Sequence, residues 1–286
     1  MGVQSSTASD LITIDEDYSE RVVLRRDLVA RHGSTVCGYT SKGQDTVREL
    51  YEYLLKEYLP VRFPTLFKLS HDGTTFMNLV TQKLFPTTPP QDTYEALKIL
   101  AETVEEDFFF LKPTPSGHEV VAFVCCFPSG WNPSSKLGKN MNQIHVPVPS
   151  YEKIGQSMER YFNRLKVGDY VKRVNWAVQT HPDLFNLKGN HVSESDKIDS
   201  NEVIDIKETF LRSELQTLTR LPQTGAILFS FKTYLYPVRE IKAEGRGLQF
   251  ADAIEGLRTG NAPGMWTYKG GIRWGKQVCD YLRSQS

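Results

Sequence analysis

His145 stands directly before a stiff stretch, V-P-V-P-S-Y, in an otherwise irregular segment of the chain. Pro147 and Pro149 hold φ at about −65° and lack a backbone donor, and each favours an extended residue before it. This context could hold the His145 imidazole in one direction. Lys136 and Lys139 lie a few residues upstream. A positioned imidazole beside positive charge suits an anionic ligand that carries a metal, and haem is one such ligand.

Other side chains could ligate iron in place of His145. His181 and His191 border a polar segment and are expected to be exposed. A thiolate from Cys125 or Cys126 is a further alternative, although a cysteine on a buried apolar strand usually packs as an inert side chain. His145 could also serve only as a hydrogen-bond partner of a backbone group. We favour His145 as the metal ligand.

An anionic porphyrin also requires counter-charges for its two propionates and flat apolar surfaces. Lys136, Arg212 and Lys232 are the candidate propionate partners, since arginine and lysine bind carboxylates and arginine can do so through two hydrogen bonds. The alternative for each is a solvated surface charge. Trp131 and Trp176 could stack on the porphyrin or enclose a cation, although large aromatic side chains more often pack in the core.

Arg212, Glu214 and Gln216 share one face if residues 211–221 form a strand. That face then either meets solvent, with an Arg212–Glu214 ion pair, or lines a polar pocket. In a pocket, Glu214 could hold a cationic group and accept its proton, with Gln216 beside it. Glu214 and Gln216 are therefore the candidate catalytic residues.

The apolar patterns predict an α+β fold with an antiparallel sheet of at least four or five strands. Residues 211–221 fit a helix or a strand, and the short P-Q-T-G link to the next strand favours a hairpin. The predicted helices are residues 44–58, one that begins at 92–93, one that opens at 149–150, 248–258 and 274–282, and the predicted strands are residues 108–111, 119–127, 170–178, 211–221 and 226–235.

Composition excludes several classes of protein. The chain has 286 residues with 34 basic and 34 acidic side chains, so it lacks the basic excess of a nucleic-acid-binding protein. It has no apolar run of about 18 residues, which indicates no membrane span. Its four cysteines form no C-x-x-C pair, so neither a zinc site nor a disulfide framework is expected, and we predict a reducing, cytoplasmic location. Residues 1–10 are predicted to be disordered and residues 11–286 to form a single domain.

A series of short motifs follows the chain from residue 60 to the C-terminus. The motifs are E-D-F at 106–108, C-F-P-S-G-W at 126–131, K-L-G-K at 136–139, I-H-V-P-V-P-S-Y at 144–151, N-W at 175–176, R-S-E-L-Q-T-L-T-R-L-P-Q-T-G-A-I-L-F-S-F-K-T-Y at 212–234 and Y-K-G at 268–270. In order and spacing the chain resembles the haem-dependent oxidative N-demethylase alpha-subunit-like family. The segment P-V-R-F-P-T-L-F at 60–67 is similar to fungal members. Leu215 departs from the usual motif, which has arginine there.

The resemblance implies a haem b held in a PAS-like antiparallel sheet with flanking helices and helical N- and C-terminal extensions. It also implies oxidative removal of a methyl group from a small secondary amine, with O2 and electrons from a separate flavin or NADPH reductase. The chain has no G-x-G-x-x-G after a strand and no ferredoxin cysteine set, which agrees with an external electron source. The expected function is therefore a monooxygenase subunit, and the alternative is a non-catalytic haem-binding sensor of a gas or of redox state.

Overall fold

Ten β-strands are present in the part of the chain that the computed structural model describes, which is residues 2–192, 196–199 and 202–285. They are β1 (Gln4–Ser6), β2 (Cys37–Tyr39), β3 (Phe67–Leu69), β4 (Thr75–Asn78), β5 (Lys83–Pro86), β6 (Asp107–Thr114), β7 (Gly117–Val124), β8 (Tyr170–Gln179), β9 (Phe210–Arg220) and β10 (Ile227–Pro237).

Seven of these strands form one antiparallel sheet in the order β1-β8-β9-β10-β6-β7-β2, and β3-β4-β5 form a smaller antiparallel sheet. The five strands predicted from the sequence correspond to β6 to β10, which confirms the α+β class. β9 and β10 pair as a hairpin over their whole length, so residues 211–221 are a strand and the helical alternative is wrong.

The helices cover both faces of the large sheet. They are α1 (Tyr18–His32), α2 (Gln44–Glu52), α3 (Leu59–Arg62), α4 (Thr93–Ala101), α5 (Met141–Ile144), α6 (Gly155–Arg164), α7 (Val238–Ala243), α8 (Gly247–Thr259), α9 (Gly264–Tyr268) and α10 (Gly271–Arg283).

The predicted helix ends differ from the observed ones in two places. The helix predicted to stop before Pro60 continues through a π-helical stretch, Tyr53–Tyr58, into α3. Proline is tolerated there because it occupies the first turn of α3, where a backbone donor is not required. The helix predicted to open at residues 149–150 begins only at Gly155, after a 3-10 turn. Asp92, one of the two residues at which this helix was predicted to begin, caps α4, and its Oδ1 accepts a hydrogen bond from the Tyr94 amide at 2.9 Å.

Alternation along the central strands sends apolar side chains into two separate cores. On one face, Phe108 and Phe110 of β6 pack with the apolar side chains of α1, α2 and α4. On the other face, Phe109 of β6 and Phe231 of β10 pack with α5 and α6. The vicinal cysteines, which follow the last residue of β7, divide in the same way, Cys125 into the second core and Cys126 into the first.

The C-terminal helices build a third apolar cluster. Trp274 and Val278 of α10 pack with Phe250 and Ile254 of α8, and Val178 of β8 joins them. These helices therefore attach to the C-terminal end of β8. None of the helices in the described ranges is long and apolar enough to cross a membrane.

The polar N-terminus is ordered where the sequence predicts disorder. β1 pairs with the outer edge of β8, with Ser5 opposite Val171. Asp10 then accepts hydrogen bonds from the Ser6 hydroxyl at 2.6 Å and from Lys172 Nζ at 2.9 Å. An edge strand offers unpaired backbone groups to any extended segment, whatever its side chains, so composition alone does not report this pairing.

A buried ion pair joins the first helix to the central sheet. Arg25 of α1 and Asp107 at the start of β6 are both almost fully buried, and Arg25 Nη1 lies 2.6 Å from Asp107 Oδ1. Asp107 also accepts hydrogen bonds from the backbone amides of Cys126 and Phe127, each at 2.8 Å. The E-D-F motif is thus part of the structural framework on the face away from α5 and α6.

Candidate functional site

A cavity of about 680 Å³ lies between the sheet and the segment that contains α5 and α6. Its volume is within the range of roughly 300 to 1,000 Å³ that is usual for ligand and cofactor sites. Most of its wall is apolar, as expected for such sites. The apolar lining from the sheet is Phe109, Leu111, Val120, Leu218, Phe229 and Phe231, and that from the opposite side includes Met141, Ile144, Val148, Tyr151, Met158 and Phe162.

One end of the cavity is polar because two neighbouring strands present alternating polar residues to it. Arg173 and Asn175 of β8 lie directly opposite Gln216 and Glu214 of β9. Arg173 Nε donates to Gln216 Oε1 at 2.6 Å, and Gln216 Nε2 donates to Glu214 Oε2 at 2.9 Å. The polar row on β9 therefore lines a pocket, and the solvent-facing alternative is wrong for Glu214 and Gln216, which are 8% and 5% exposed.

Lys269 closes the polar end from the C-terminal part of the chain. Its Nζ contacts the carbonyl oxygen of Trp176, lies 3.5 Å from Asn175 Oδ1 and sits 4.9 Å from the centre of the Trp176 ring. Burial lowers the pKa of Lys269 to about 8, although the nearby Glu214 carboxylate opposes this shift. The lysine can therefore lose its proton much more easily than a solvated lysine.

The cavity carries an excess of positive charge. Glu214 is the single acidic side chain among its lining residues, which belong to the described part of the chain. The basic side chains of the lining are Lys136, Lys153, Arg173, Arg212 and Lys269. A largely apolar site with this charge balance favours an anionic ligand with a large apolar surface.

His145 lines the cavity with one ring nitrogen already used. Its Nδ1 lies 2.9 Å from the Met141 carbonyl oxygen, to which it donates, and its ring stacks on Tyr151 with centroids 4.4 Å apart. Burial lowers the pKa of His145, so the neutral imidazole is favoured. A backbone hydrogen bond at Nδ1 leaves the Nε2 lone pair for a metal, which is a common arrangement of histidine ligands.

His191 also lines the cavity, although the polar segment beside it predicts an exposed side chain. Its ring stacks on Tyr268 with centroids 4.4 Å apart, and burial lowers its pKa to about 4. Tyr268 is 77 positions further along the chain than His191, so this contact, which places His191 at the cavity, is not visible in the local sequence. His181 lies elsewhere: its Nε2 is 3.1 Å from Asn186 Nδ2, and it is absent from the lining.

Arg212 lines the cavity, but most of its N–H donors form hydrogen bonds with other residues of the chain. Its Nη1 donates to Gln179 Oε1 and to the Leu184 carbonyl, both at 3.2 Å, and its Nη2 donates to the Phe127 carbonyl. Its Nε has no hydrogen-bond partner among the described residues and lies 4.0 Å from Glu214 Oε1. Arg212 therefore ties β9 to the turn after β7 and keeps one buried donor unused.

The remaining predicted residues of the lining are Lys136, Trp131 and Trp176. Lys136 Nζ donates to the Ile144 carbonyl at 3.1 Å and lies 5.8 Å from the centre of the Trp131 ring. Trp176 meets Phe250 of α8 edge to face, with centroids 5.8 Å apart. Both tryptophans are partly buried and border the cavity, so they are wall residues as well as core residues.

Lys232 is on the opposite face of the sheet from the cavity. Its Nζ lies 2.8 Å from Glu105, 2.6 Å from Asp15 and 2.9 Å from the Thr13 carbonyl oxygen. Alternation on β10 sends Phe231 to the cavity and hence Lys232 away from it. The expectation that Lys232 binds a propionate is therefore wrong.

Cys125 and Cys126 are free, buried and outside the cavity lining, and burial raises the pKa of both thiols.

Comparison with known families gives a match to haem-dependent oxidative N-demethylase, alpha subunit-like, over residues 2–279. The chain belongs to this family. The match covers nearly all of the 286 residues, including every strand of the large sheet. The resemblance to fungal members stays a prediction.

Most of the sequence motifs on which the resemblance to this family rests converge on the cavity. Apart from E-D-F and the segment at 60–67, each motif contributes lining residues, which are Trp131, Lys136, His145, Asn175, Trp176, Arg212, Glu214, Gln216, Tyr268 and Lys269 among others. Leu215, which departs from the usual motif, is not in the lining because it points to the other face of β9. Its replacement of an arginine therefore leaves the charge of the cavity unchanged.

Three polar side chains of the lining were not among the site residues predicted from the sequence. Arg173 and Asn175 fall on one face of the predicted strand at 170–178 because side chains alternate, but nothing along the chain shows that this face meets Glu214. Lys269 lies within the Y-K-G motif, yet its contacts with β8 involve residues 94 positions away. Polar residues alternate along both β8 and β9. This shared pattern could have suggested that the two strands pair and form one polar surface.

Proposed function

We propose that this chain is the haem-binding catalytic subunit of an oxidative N-demethylase that acts on a small secondary or methylated amine. O2 is the oxidant and a separate reductase supplies the electrons. The observation that carries this proposal is that the motifs on which the resemblance rests meet at one apolar cavity, whose described lining has a net positive charge and a single carboxylate. The order of the central strands, β7-β6-β10-β9-β8 with α5 and α6 between β7 and β8, supports a PAS-like core.

The lining residues fit haem b by charge, shape and donor type. The aromatic floor on β6 and β10 suits a flat macrocycle, and the basic side chains suit its two propionates. Nε of Arg212, on a side chain that is 1% exposed, is a buried donor without a partner among the described residues. Such a donor indicates a site completed by a ligand acceptor.

His145 is the residue that we propose would bind the haem iron. Its Nδ1 is oriented by the Met141 carbonyl, and its Nε2 has a free lone pair in the neutral form that burial favours. His191 is the second candidate, since it also lines the cavity and is held neutral by burial. The cysteines are less suitable, because a thiol with a raised pKa resists conversion to the thiolate that binds iron.

Bound haem would supply the activation of O2, and the side chains of the polar end would handle the amine. Glu214 is the proposed site for the ammonium group, because it is the only carboxylate in the described lining. Gln216 and Asn175 donate to the same oxygen, Oε2, and so hold the carboxylate in one orientation. Glu214 can then accept the ammonium proton, while the apolar walls keep water from the amine.

A reductase partner is part of the proposal. The family is described as an alpha subunit, which supports the presence of other subunits. The chain also lacks the sequence motifs of a dinucleotide-binding domain or a ferredoxin-type cluster. Electrons from NADPH or a reduced flavin would therefore arrive from a separate protein.

The test is spectroscopic first and catalytic second. Purified protein reconstituted with haem should show a Soret band, and methylated amines with a reductase should release formaldehyde. His145→Ala should abolish or shift the Soret band, with His191→Ala as the matched variant of the second histidine. Glu214→Gln should retain haem and lose amine turnover. A Soret band without any amine-dependent formaldehyde would instead support the gas or redox sensor, and no haem binding at all would contradict the proposal.

A further inference from the structure

We infer that Arg173 is the main carboxylate-binding residue of the cavity and that it binds a propionate of the haem. The inference rests on the proposed function and adds to it a binding residue that the sequence did not indicate. It adds Arg173 to the propionate partners expected from the sequence, which are Lys136, Arg212 and Lys232; of these, Lys232 is outside the lining.

One guanidinium nitrogen of Arg173 forms a hydrogen bond, and the other two have no hydrogen-bond partner among the described residues. Its Nε donates to Gln216 Oε1 at 2.6 Å, across the β8–β9 pairing that sets the two residues opposite each other. Within the described ranges, neither Nη1 nor Nη2 takes part in a hydrogen bond or an ion pair, although the side chain lines the cavity. The planar guanidinium therefore presents two unused donors to the cavity, in the geometry that matches a carboxylate.

The other basic side chains of the cavity have fewer unused donors. Both Nη atoms of Arg212 donate within the protein, which leaves only its Nε. Lys136 Nζ donates to the Ile144 carbonyl, and Lys269 Nζ contacts Trp176 and Asn175. Lys153 is exposed and contributes a solvated charge. Arg173 is thus the arginine of this set that keeps both Nη groups unused among the described residues, and these are the paired donors that a carboxylate can bind.

The partial burial of the Arg173 guanidinium increases the free energy that an anion would gain by binding to its two free Nη groups. Desolvation lowers the pKa of Arg173, and the Glu214 carboxylate compensates only in part without contacting it in an ion pair. A partly desolvated guanidinium with unfilled donors gains more from an anion than an exposed lysine does. The carboxylate that arrives there is expected to be the propionate, because the apolar walls next to Arg173 continue into the aromatic floor at Phe229 and Phe231.

The test compares two ligands and two proteins. Haem and haem dimethyl ester, which lacks the propionate charges, are titrated by Soret absorbance into the full-length chain and its Arg173→Gln variant. We expect Arg173→Gln to weaken haem binding about 10- to 100-fold, and binding of the dimethyl ester less than about threefold. Arg173→Lys should retain part of the preference for haem over its ester, because lysine keeps the positive charge but lacks the two parallel N–H donors of the guanidinium. Lys153→Gln is the matched control for loss of a positive charge at the rim.

The outcomes separate the inference from the function on which it rests. Equal weakening with both ligands would show that Arg173 only supports the fold, and unchanged haem affinity would show that the propionates bind elsewhere; either result overturns the inference alone. The same holds if the variant keeps haem but loses the spectral response to a carboxylate-bearing methylamine, because Arg173 would then bind substrate. If the unmodified chain binds no haem, the proposed function fails together with the inference. Circular dichroism of both Arg173 variants checks that they are folded.

Discussion

Asn175 of β8 and Glu214 of β9 are cross-strand partners, and Asn175 Nδ2 donates a hydrogen bond to Glu214 Oε2 across 3.2 Å. The same oxygen accepts from Gln216 Nε2 at 2.9 Å, so two amides orient one carboxylate. Asn175 Oδ1 in turn lies 3.5 Å from Lys269 Nζ. Asn175 therefore links the proposed amine-binding carboxylate to the buried lysine.

Replacement of Asn175 by leucine tests this link. Asn175→Leu removes a donor from Glu214 and an acceptor from Lys269 while it keeps the approximate size of the side chain. We expect amine binding to weaken about tenfold with haem affinity little changed, because loss of a hydrogen bond to a charged group costs about 1.5 kcal/mol or more. The measurement is an amine titration followed by absorbance. Val174→Ala, at an exposed position one residue away on β8, is the control. Equal loss in both variants would contradict a specific role of Asn175.

Replacement of Lys232 by methionine tests the corrected position of this lysine. Lys232 and Glu105 form a buried ion pair, with side chains 4% and 2% exposed. Lys232→Met leaves the Glu105 carboxylate buried without its partner, which we expect to cost about 3 to 5 kcal/mol in the free energy of unfolding. Urea denaturation measures the loss, and Lys232→Met combined with Glu105→Leu should recover part of it. Loss of haem affinity at unchanged stability would return Lys232 to the cofactor site.

Glu106 makes stability depend on pH. Burial raises its pKa to about 7 from an ordinary value of 4.5, although the Thr13 amide, which donates to it at 2.7 Å, opposes the shift. The folded chain therefore holds this proton more tightly than the unfolded chain. The contribution of Glu106 is most favourable below pH 4.5 and falls as the pH rises through about 7, where half of the buried carboxyl groups are ionised.

Glu106→Gln should remove this dependence. We expect the free energy of unfolding of the variant, relative to the native chain, to rise by up to about 3 kcal/mol between pH 4.5 and pH 7. Urea unfolding at a series of pH values measures the difference, with Glu20→Gln on the exposed surface of α1 as the matched control. A difference that does not change with pH would show that Glu106 is ionised in the folded chain throughout this range.

Two helical glycines should respond in opposite ways to alanine. A Cβ at Gly275 of α10 would lie 2.1 Å from Cη2 of Trp266, whereas a Cβ at Gly256 of α8 would have no atom within 4 Å. Gly275→Ala should therefore destabilise the fold by about 1 to 3 kcal/mol through overpacking. Gly256→Ala should stabilise it by about 0.5 to 1 kcal/mol through helix propensity. Thermal unfolding of both variants checks the pair, and similar effects at the two sites would contradict the contact with Trp266.

Much of the secondary structure follows from local patterns. The nearly continuous apolar run of β7 indicated a strand covered on both faces, and it lies between two cores. The edge strand β1 and helix α1 were not found, because a polar edge strand and a helix with scattered apolar residues give weak periodic signals. Their places depend on pairing with β8 and on the burial of Arg25, which are long-range contacts.

The amino-acid sequence by itself determined that Arg212, Glu214 and Gln216 share one face, since side chains alternate along any strand. It also determined the stiff context of His145, because proline restricts the backbone wherever it occurs. Only the tertiary structure decided which face of β10 meets the cavity, and so excluded Lys232. It alone brought Lys269 to Asn175, 94 positions away in the chain. The reason is that the partner of a side chain across a sheet or beneath a helix depends on the packing of distant segments, which local residue patterns do not record.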